Sequence, residues 1–382
     1  MFIQNMPDKH LHIISFDIPY PPNYGGVIDV FYKIKTLHRL GIRVHLHCFE
    51  YPGRDRTPEL DRYCEEVHYY PRKTGLKSML SLAPYIVSSR KSEELIANLL
   101  EDNHPILFEG LHSCYYLDDR RLAGRIKVYR ESNIEHRYYF NLFKVDANLR
   151  NRLYFLMASA KLRLFQKVLH HASLMLAVSQ HDTEYLQKHF PGKPIFHLPS
   201  FHANDEVAIL PGKGDYALYH GNIEVPENEY AATYLITRVF NDTAVPLIIA
   251  GMKPRERFRR MTELYPNVML IANPDDEKMF DLIRNAHVNI LVTFQATGLK
   301  LKLLNTLYNG RFCLVNEAMI KGTSLENLCE SGNTAAELKN RLAALFDQEF
   351  TLDVAAGRAN ELKKLYDNTE NGKKLIDLIY KL

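Results

Sequence analysis

Short apolar runs alternate with longer amphipathic stretches along the first half of the chain. The run Leu11 to Phe16 predicts a buried strand, and the helical periodicity of Val27 to Gly41 predicts a helix that ends at a glycine. Further strand-like runs read RVHLHCF, PILFEG, IKVYRES and LMLAVSQ, and SEELIANLLEDN predicts a helix capped by Ser92. Strands and helices that alternate in this way form parallel sheets covered by helices on both faces.

The same alternation starts again after Ser200. Its strand-like runs read YALYHGN, PLIIAGM, VMLIA, VNILVTF and FCLVNE, and a polar segment with Pro and Gly, His197 to Asp215, separates the two series as a linker does. We therefore predict an α/β protein with two doubly wound Rossmann-like domains that face a cleft. The predicted domains are residues 1–200 and residues 201–382, with the last helix packing back on the first domain. Ligands of such sheets bind beyond the carboxyl ends of the strands.

Composition narrows the class of protein. The 382 residues, 46% apolar and 24% charged, are enough for two domains, and a formal net charge of +3 does not favour nucleic acid as a partner. The five cysteines are scattered without a CxxC pair, so they predict reduced thiols and no zinc site. No run approaches the roughly 20 apolar residues of a spanning helix. We expect a cytoplasmic protein that at most lies against a membrane.

Two glycines follow the first predicted strand. Gly25 and Gly26 come after the Pro21-Pro22 pair and directly before the first helix. Glycines at a helix N-terminus let backbone N–H groups approach an anion, which the helix dipole also favours, although a tight connection alone would explain them too. The spacing differs from the GxGxxG dinucleotide fingerprint, and the chain contains no GxxxxGK[ST] phosphate loop. These observations argue against a nicotinamide enzyme and against a P-loop ATPase.

Carboxylates and histidines cluster after two other predicted strands. Glu109 and His112 follow PILF, and Glu131, Glu135 and His136 follow IKVYR. Side chains of these types at strand ends are candidates for general acid–base catalysis or hydroxyl recognition, whereas a single histidine there is more often structural. We predict Glu109 and His112 as catalytic residues.

A polar break between a strand and a helix gives the third candidate. Gly298 and Lys300 precede a helix that carries Lys302 and Asn305 on its polar face. Lysine at a helix N-terminus is electrostatically unfavourable unless an anion joins it, so the pattern favours a bound diphosphate over a solvated lysine pair. The residues predicted to pack on the sheet are Leu301, Leu303, Leu304, Leu307 and Tyr308.

These stretches resemble a known family. The segments PYPPNYGG, LMLAVSQHDTEYL, YALYHGNIEVPENEYAATYLI, PLIIAGMKP and NPDDEKMFDLIRNAHVNILVTFQATGLKLKLLNTLYNG resemble GT-B glycosyltransferases of the retaining "group 1" class over nearly the whole chain. The resemblance implies that the second domain holds a nucleotide sugar and the first an acceptor. It assigns the donor site to Gly25, Gly26, Gly298, Lys300, Lys302 and Asn305.

The chain departs from the class pattern at its carboxylates. At two positions where the class has glutamates, this chain has Gln295/Ala296 and Asn305, so neither position carries a carboxylate. After the first strand of the second domain, where the class has basic residues, this chain has Asn222. Asn305 can still hydrogen-bond a ribose. A catalytically inactive GT-B scaffold or partner subunit therefore stays an alternative, as does a nucleotide-sugar epimerase.

The function implied by the resemblance is transfer of a sugar from a UDP- or GDP-linked donor to a glycan or lipid-linked acceptor, in polysaccharide biosynthesis. Transfer would proceed with retention, and Lys302, His112 and Glu109 would be the catalytic residues. Fixed amides and lysines would stabilise the leaving diphosphate. No DxD-like acidic pair stands at a suitable loop, so we expect no metal and no cofactor.

Two basic segments of the first domain combine positive charge with apolar residues. Asn148 to Ala172 contains five basic residues and no acid, and Pro71 to Tyr85 contains Arg72, Lys73 and Lys77. Such segments suit peripheral contact with anionic lipid at the inner face of a membrane, and Pro71 to Tyr85 is the favoured one. The alternative is a core helix with a solvated basic edge.

Overall fold

The computed structural model describes residues 8–75, 78, 81–146, 148–294 and 301–381. Within these ranges the chain divides into two compact units. The first unit comprises residues 8–203 and 366–381, and the second comprises residues 204–294 and 301–365. Each unit is built on one parallel β-sheet with helices, so the predicted α/β class is confirmed.

The first unit contains a seven-stranded sheet. Its strands are β1 (Lys9–Ser15), β2 (Ile42–Phe49), β3 (Glu66–Tyr70), β4 (Ile106–Glu109), β5 (Lys127–Glu131), β6 (Leu174–Ala177) and β7 (Ile195–His197). The spatial order is β3-β2-β1-β4-β5-β6-β7, and every described pairing is parallel. The order reverses between β1 and β4, where connections leave in opposite directions and open a crevice at the carboxyl edge.

The second unit repeats this plan with six strands. They are β8 (Ala217–His220), β9 (Leu247–Gly251), β10 (Val268–Ala272), β11 (Val288–Leu291), β12 (Phe312–Val315) and β13 (Glu330–Ser331). The order is β10-β9-β8-β11-β12-β13, again parallel throughout the described pairs. The corresponding reversal lies between β8 and β11.

Helices cover both sheets. Those of the first unit are α1 (Gly25–Arg39), α2 (Tyr85–Ser88), α3 (Glu93–Leu99), α4 (Glu135–Val145), α5 (Leu149–Phe165) and α6 (Gln180–His189). Those that follow are α7 (Pro226–Tyr234), α8 (Glu256–Thr262), α9 (Asp276–Asn285), α10 (Leu301–Asn309), α11 (Glu317–Ile320), α12 (Ala335–Phe346), α13 (Leu352–Tyr366) and α14 (Asn368–Tyr380). None of the helices in these described ranges is long and apolar enough to cross a bilayer.

The apolar face predicted for α10 is confirmed, since the five residues listed for it are all buried. The final helix, α14, belongs to the first unit, where it lies close against α1 and the turn that follows it. A Cβ atom added at Gly372 would stand 2.7 Å from the side chain of Leu40 and 2.8 Å from that of Thr36. Glycine at this position therefore permits the close approach of the two helices.

Candidate active site

The loop between β1 and α1 is fixed by a buried carboxylate. Asp17 accepts hydrogen bonds from the hydroxyl of Tyr24 at 2.6 Å and from the backbone N–H of Ile18 at 2.8 Å. The Nε of Arg54 lies 3.4 Å from the same carboxylate, and a guanidinium N–H of Arg54 donates to the carbonyl of Ile18 at 2.7 Å. The loop that carries the Pro-Gly motif is thus held in one shape before any ligand arrives.

The two glycines at the start of α1 have different surroundings. A Cβ atom at Gly25 would meet nothing within 4 Å among the described atoms, whereas one at Gly26 would lie 2.5 Å from the ring of Phe16. The residue before the helix, Tyr24, directs its hydroxyl to Asp17, and the first turn contains no acidic residue. The space beside Gly25, at the N-terminus of α1, is therefore open, as the approach of an anion requires. The assignment of Gly25 and Gly26 to a diphosphate site stays a prediction.

His112 lies just beyond β4, on the same edge of the first sheet. Gly110 adopts a φ of +67°, which turns the chain into the 3₁₀ segment that carries His112. The Nδ1 atom of His112 is buried and has no hydrogen-bond partner among the described residues. It faces Oε1 of Glu135 at 3.8 Å, while the side chain as a whole remains 20% exposed. Nε2 is therefore the ring nitrogen left to meet a substrate.

Burial sets the proton balance of this pair. It raises the pKa of Glu135 to about 8, although the positive charge of Arg90 acts in the opposite direction. Burial, together with the nearby Arg90 and Arg72, holds the pKa of His112 well below its ordinary value. At neutral pH the two groups are thus a protonated carboxyl beside a neutral imidazole. At a closer approach than the present 3.8 Å, Oε1 could transfer its proton to Nδ1 and give a carboxylate–imidazolium pair.

Glu109, the other predicted catalytic residue of this unit, lies in a buried ionic network. Its Oε1 is 2.5 Å from Nζ of Lys33, which also contacts Asp29 at 3.0 Å. Asp29 in turn binds Arg130 through two hydrogen bonds of 2.9 and 3.0 Å. The carboxylate beside His112 is that of Glu135, whereas Glu109 is bound to Lys33. A catalytic role for Glu109 stays a prediction, and its contacts favour a structural one.

Lys302, in the first turn of α10, points towards the sheet of the second unit. Its Nζ lies 3.2 Å from Oδ1 of Asn228, 3.5 Å from the hydroxyl of Tyr219 and 4.9 Å from the centre of the Tyr219 ring. The side chain is half-buried, so it does not belong to a fully solvated lysine face. A cation held in this way is pre-positioned for an anion at the carboxyl edge of the sheet.

Asn305 lies one turn further along α10 and takes part in a chain of amides. Its Oδ1 accepts a hydrogen bond from Nδ2 of Asn204 at 2.9 Å, and Asn309 donates to Oδ1 of Asn204 at 2.8 Å. The side-chain NH₂ group of Asn305 is the part available to a ligand hydroxyl. The other two predicted donor-site residues, Gly298 and Lys300, lie outside the described residues.

A carboxylate that the sequence pattern did not single out lies at the same edge. Glu227, in the first turn of α7, accepts a short hydrogen bond from the hydroxyl of Thr293, which follows β11. Asn316 fixes this position, because its side chain bonds both the N–H and the carbonyl of Thr293, at 3.1 and 2.7 Å. The second unit therefore places Lys302 and Asn305 near the start of α10 and Glu227 in the first turn of α7.

Comparison with solved structures identifies the architecture. The chain is similar to HepE of Anabaena, solved with UDP and glucose, with a TM-score of 0.68 at 12% identity over 98% of this chain and 100% of that one. It is also similar to TarM of S. aureus, solved with fondaparinux, α-GlcNAc-glycerol and UDP, with a TM-score of 0.66 at 10% identity over 98% and 100%. The chain has the GT-B fold.

Other relatives extend this comparison. An α,α-trehalose-phosphate synthase from Burkholderia xenovorans shares the GT-B fold, with a TM-score of 0.61 at 10% identity over 97% of this chain and 99% of that one. An "uncharacterized 44.6 kDa protein in cps region" from Klebsiella pneumoniae is 23% identical over 335 residues, which are 81% of this chain and 84% of that protein. No model of a known protein family matches the sequence.

Within this GT-B fold, the predicted site residues fall on two sheet edges. Gly25, Gly26 and His112 lie at the carboxyl edge of the first sheet, and Lys302 and Asn305 follow the carboxyl end of β11 in the second. Sequence reasoning named Glu135 in a cluster but did not pair it with His112. It gave no signal for Arg90, because the contact of Arg90 with the carbonyl of Phe16 joins residues distant in sequence.

Proposed function

We propose that this protein is a glycosyltransferase that moves a sugar from a UDP-linked donor to a glycan or lipid-linked acceptor, with retention and without a metal or other cofactor. The observation that carries the proposal is the full-length likeness to GT-B structures whose contents include UDP-glucose and UDP. Its relative in a cps region supports a role in polysaccharide biosynthesis.

The proposal assigns the nucleotide sugar to the second unit. Cleavage of the bond between sugar and diphosphate leaves growing negative charge on phosphate oxygens. Lys302, already oriented by Asn228, and the start of α10 would stabilise that charge as it forms. The NH₂ group of Asn305 would bind a ribose hydroxyl. In the first unit, the amides at Gly25 and Gly26 would form an anion site of their own.

The His112–Glu135 pair supplies the acid–base part of the proposal. Because Nδ1 faces Glu135, Nε2 is left to hydrogen-bond a hydroxyl of the donor sugar or of the acceptor. When Glu135 is protonated and its O–H donates a hydrogen bond to Nδ1, the imidazole hydrogen is on Nε2, which then acts as a donor. When Glu135 is ionised it accepts from Nδ1–H, and Nε2 becomes an acceptor. Glu135 would thus determine which role the outer nitrogen plays.

The surface of α5 supports an acceptor at a membrane. Of its 17 residues only Ser159 and Leu162 are buried. The helix exposes apolar side chains at helical spacing, namely Leu149, Leu153, Leu156, Met157 and Leu164. Exposed Arg150 and Arg163 lie on the same helix, so it combines apolar surface with positive charge.

The segment Pro71 to Tyr85 supports membrane contact less clearly than α5. It contributes the fully exposed Leu82, but Lys77 lies outside the described residues. We therefore propose that peripheral contact with anionic lipid occurs mainly through α5.

One experiment separates the candidate functions. The purified chain is incubated with UDP- and GDP-sugars and a lipid-linked acceptor pool, and products are followed by mass spectrometry and by the anomeric NMR signal. Acceptor-dependent glycoside with the donor's configuration supports the proposal. Interconversion of the donor sugar without acceptor indicates an epimerase. Absence of turnover together with the lack of a thermal shift by any nucleotide would overturn the proposal and leave a scaffold.

A further inference from the structure

Histidines of β1, of β2 and of the loop before β4 lie together in the first sheet, and His68 of β3 stacks on His47 at the end of the row. His10 and His12 lie two residues apart on β1, as do His45 and His47 on β2, so each pair projects to one face of the sheet. The register pairs His12 with His45. His104, from the loop that precedes β4, stacks on His10 with ring centroids 4.5 Å apart.

The inner part of this cluster is complete in hydrogen bonds. Nδ1 of His47 lies 2.8 Å from the hydroxyl of Tyr70, and its Nε2 lies 2.8 Å from Nδ1 of His12. Nε2 of His12 lies 2.9 Å from Asp102. A carboxylate only accepts, so His12 donates through Nε2, His47 donates to His12, and Tyr70 donates to His47. With both rings neutral, every ring nitrogen of His12 and His47 therefore has a hydrogen-bond partner.

In the outer part, one contact depends on which ring nitrogen of His10 carries the hydrogen. Nδ1 of His45 lies 3.1 Å from Glu66, and Nε2 of His10 lies 3.6 Å from Asp8, so each ring turns its outer nitrogen towards a carboxylate. The inner nitrogens, Nδ1 of His10 and Nε2 of His45, are only 2.8 Å apart. When the hydrogen of His10 is on Nδ1, this contact is a hydrogen bond to Nε2 of His45; when it is on Nε2, two lone pairs face each other. A metal ion can take the place of the hydrogen between the two nitrogens.

His104 supplies a third nitrogen to the same place. One ring nitrogen from each of His10, His45 and His104 lies within 4.8 Å of the others, in the part of the chain that the structure describes. The side chains of His10 and His104 are 19% and 38% exposed, so an ion can enter from solvent. A metal-bound histidine usually donates its other N–H to a carboxylate, as His45 does to Glu66.

We propose that His10, His45 and His104 bind a divalent transition-metal ion of the class that prefers imidazole, such as Zn²⁺, with Glu66 orienting His45. Zinc–nitrogen bonds of about 2.0–2.1 Å in a tetrahedron place the nitrogens roughly 3.3 Å apart. The His10–His45 pair would open slightly, and the exposed ring of His104 would move inwards. A water molecule completes the coordination. The site is separate from the transfer chemistry and goes beyond the proposed function.

The test uses the full-length chain without a histidine tag, freed of metal by a chelator. Isothermal titration with Zn²⁺ alone and the visible spectrum with Co²⁺ alone should both report one ion per chain. His104→Ala should weaken Zn²⁺ binding by roughly tenfold or more, and Glu66→Gln should also weaken it. His38→Ala, which removes an exposed histidine of α1, is the matched control and should bind as the wild type does.

Two results would overturn the proposal. One is that the wild type shows no saturable Zn²⁺ binding and no Co²⁺ absorption band. The other is that His104→Ala binds Zn²⁺ with the affinity of His38→Ala. His104 lies in a partly exposed loop, and thermal unfolding followed by circular dichroism verifies that each variant is folded before titration. If His104→Ala unfolds, the Zn²⁺ affinity of Glu66→Gln decides the test. An affinity equal to that of the wild type would contradict the proposed role of Glu66 in orienting His45.

Discussion

Nδ1 of His112 and Oε1 of Glu135 face each other at 3.8 Å, across the ends of β4 and β5. The distance is too long for a hydrogen bond, but it lies within reach of one after a small closing movement. Burial places the proton of this pair on Glu135 at neutral pH, because it raises the pKa of Glu135 to about 8 and lowers that of His112. The pair is therefore poised to respond to pH within one unit of the physiological range.

Glu135→Gln should separate this role from simple packing. The amide keeps the shape but cannot ionise, so the change in kcat that we expect for the wild type near pH 8 should be absent from the variant's pH profile. Glu135→Ala should lower kcat by about 10²-fold at all pH values, since it also loses the orientation of His112. Glu184→Gln, at an exposed position of α6, is the control. Wild-type activity in Glu135→Ala would contradict this role.

The same residue should make stability depend on pH. The carboxyl of Glu135 has a folded pKa of about 8 and an ordinary value of 4.5, so the folded state holds a proton that the unfolded state releases between these values. Wild-type stability should therefore fall as pH rises from 4.5 to 8, by at most about 1.4 kcal/mol per pH unit from this group. Glu135→Gln should lack this contribution. Urea denaturation at pH 5, 7 and 9 measures the difference, which should grow with pH.

Lys302→Ala should weaken binding of UDP. A charge-assisted hydrogen bond contributes about 1.5–3 kcal/mol, which corresponds to roughly a 10- to 150-fold increase in Kd. Lys278→Ala removes an exposed lysine from α9 of the same unit and should leave Kd unchanged. Calorimetric titration with UDP compares the two variants. Equal affinities would mean that Lys302 only stabilises the contact with Asn228 and Tyr219.

Asn305→Ala should distinguish ribose from deoxyribose. If its NH₂ group binds a ribose hydroxyl, the variant should lose affinity for UDP but much less for 2′-deoxy-UDP. The expected loss for UDP is about 1 kcal/mol, as for a neutral hydrogen bond. The two titrations are internally controlled, because any damage to α10 reduces both affinities equally.

The exposed apolar side chains of α5 should anchor the protein to vesicles. The double variant Leu153→Glu with Met157→Glu adds two negative charges and removes apolar surface, so co-sedimentation with anionic vesicles should be lost. Wild-type binding should decrease as salt is added and should be weak with neutral vesicles. Leu264→Glu, at another exposed leucine in the second unit, should bind like the wild type. Membrane binding that survives the double variant would exclude α5 as the contact.

The fold was predictable because parallel strands buried on both faces give continuous apolar runs. The strands that the pattern missed are β3, β7 and β13, each of which is an edge strand of its sheet. Edge strands have fewer buried positions, as the half-buried residues of β3 show. The predicted helix at Val27 begins two residues earlier, at Gly25, because the glycines themselves form its first turn.

The sequence indicated where the candidate site residues lie in the fold, but not which side chains they contact. Strand-end logic located Gly25, Gly26 and His112. It could not choose between two carboxylates for His112, since the choice depends on side-chain direction: Glu109 meets Lys33, whereas Glu135 starts a helix beside the histidine. The HLH repeats of β1 and β2 were visible in the sequence, but their convergence with His104 follows from strand register and from a loop distant in sequence.

The ring of Phe16 lies against both the first turn of α1 and the ring of His112. It fills the space a side chain at position 26 would need, and its centre lies 5.4 Å from that of the His112 ring. The rim of one aromatic ring therefore limits the space at position 26, and the same ring packs against the imidazole of His112. A larger side chain at position 26 would displace that ring and disturb the packing of His112. The glycine motif and the histidine are in this way linked through an apolar contact.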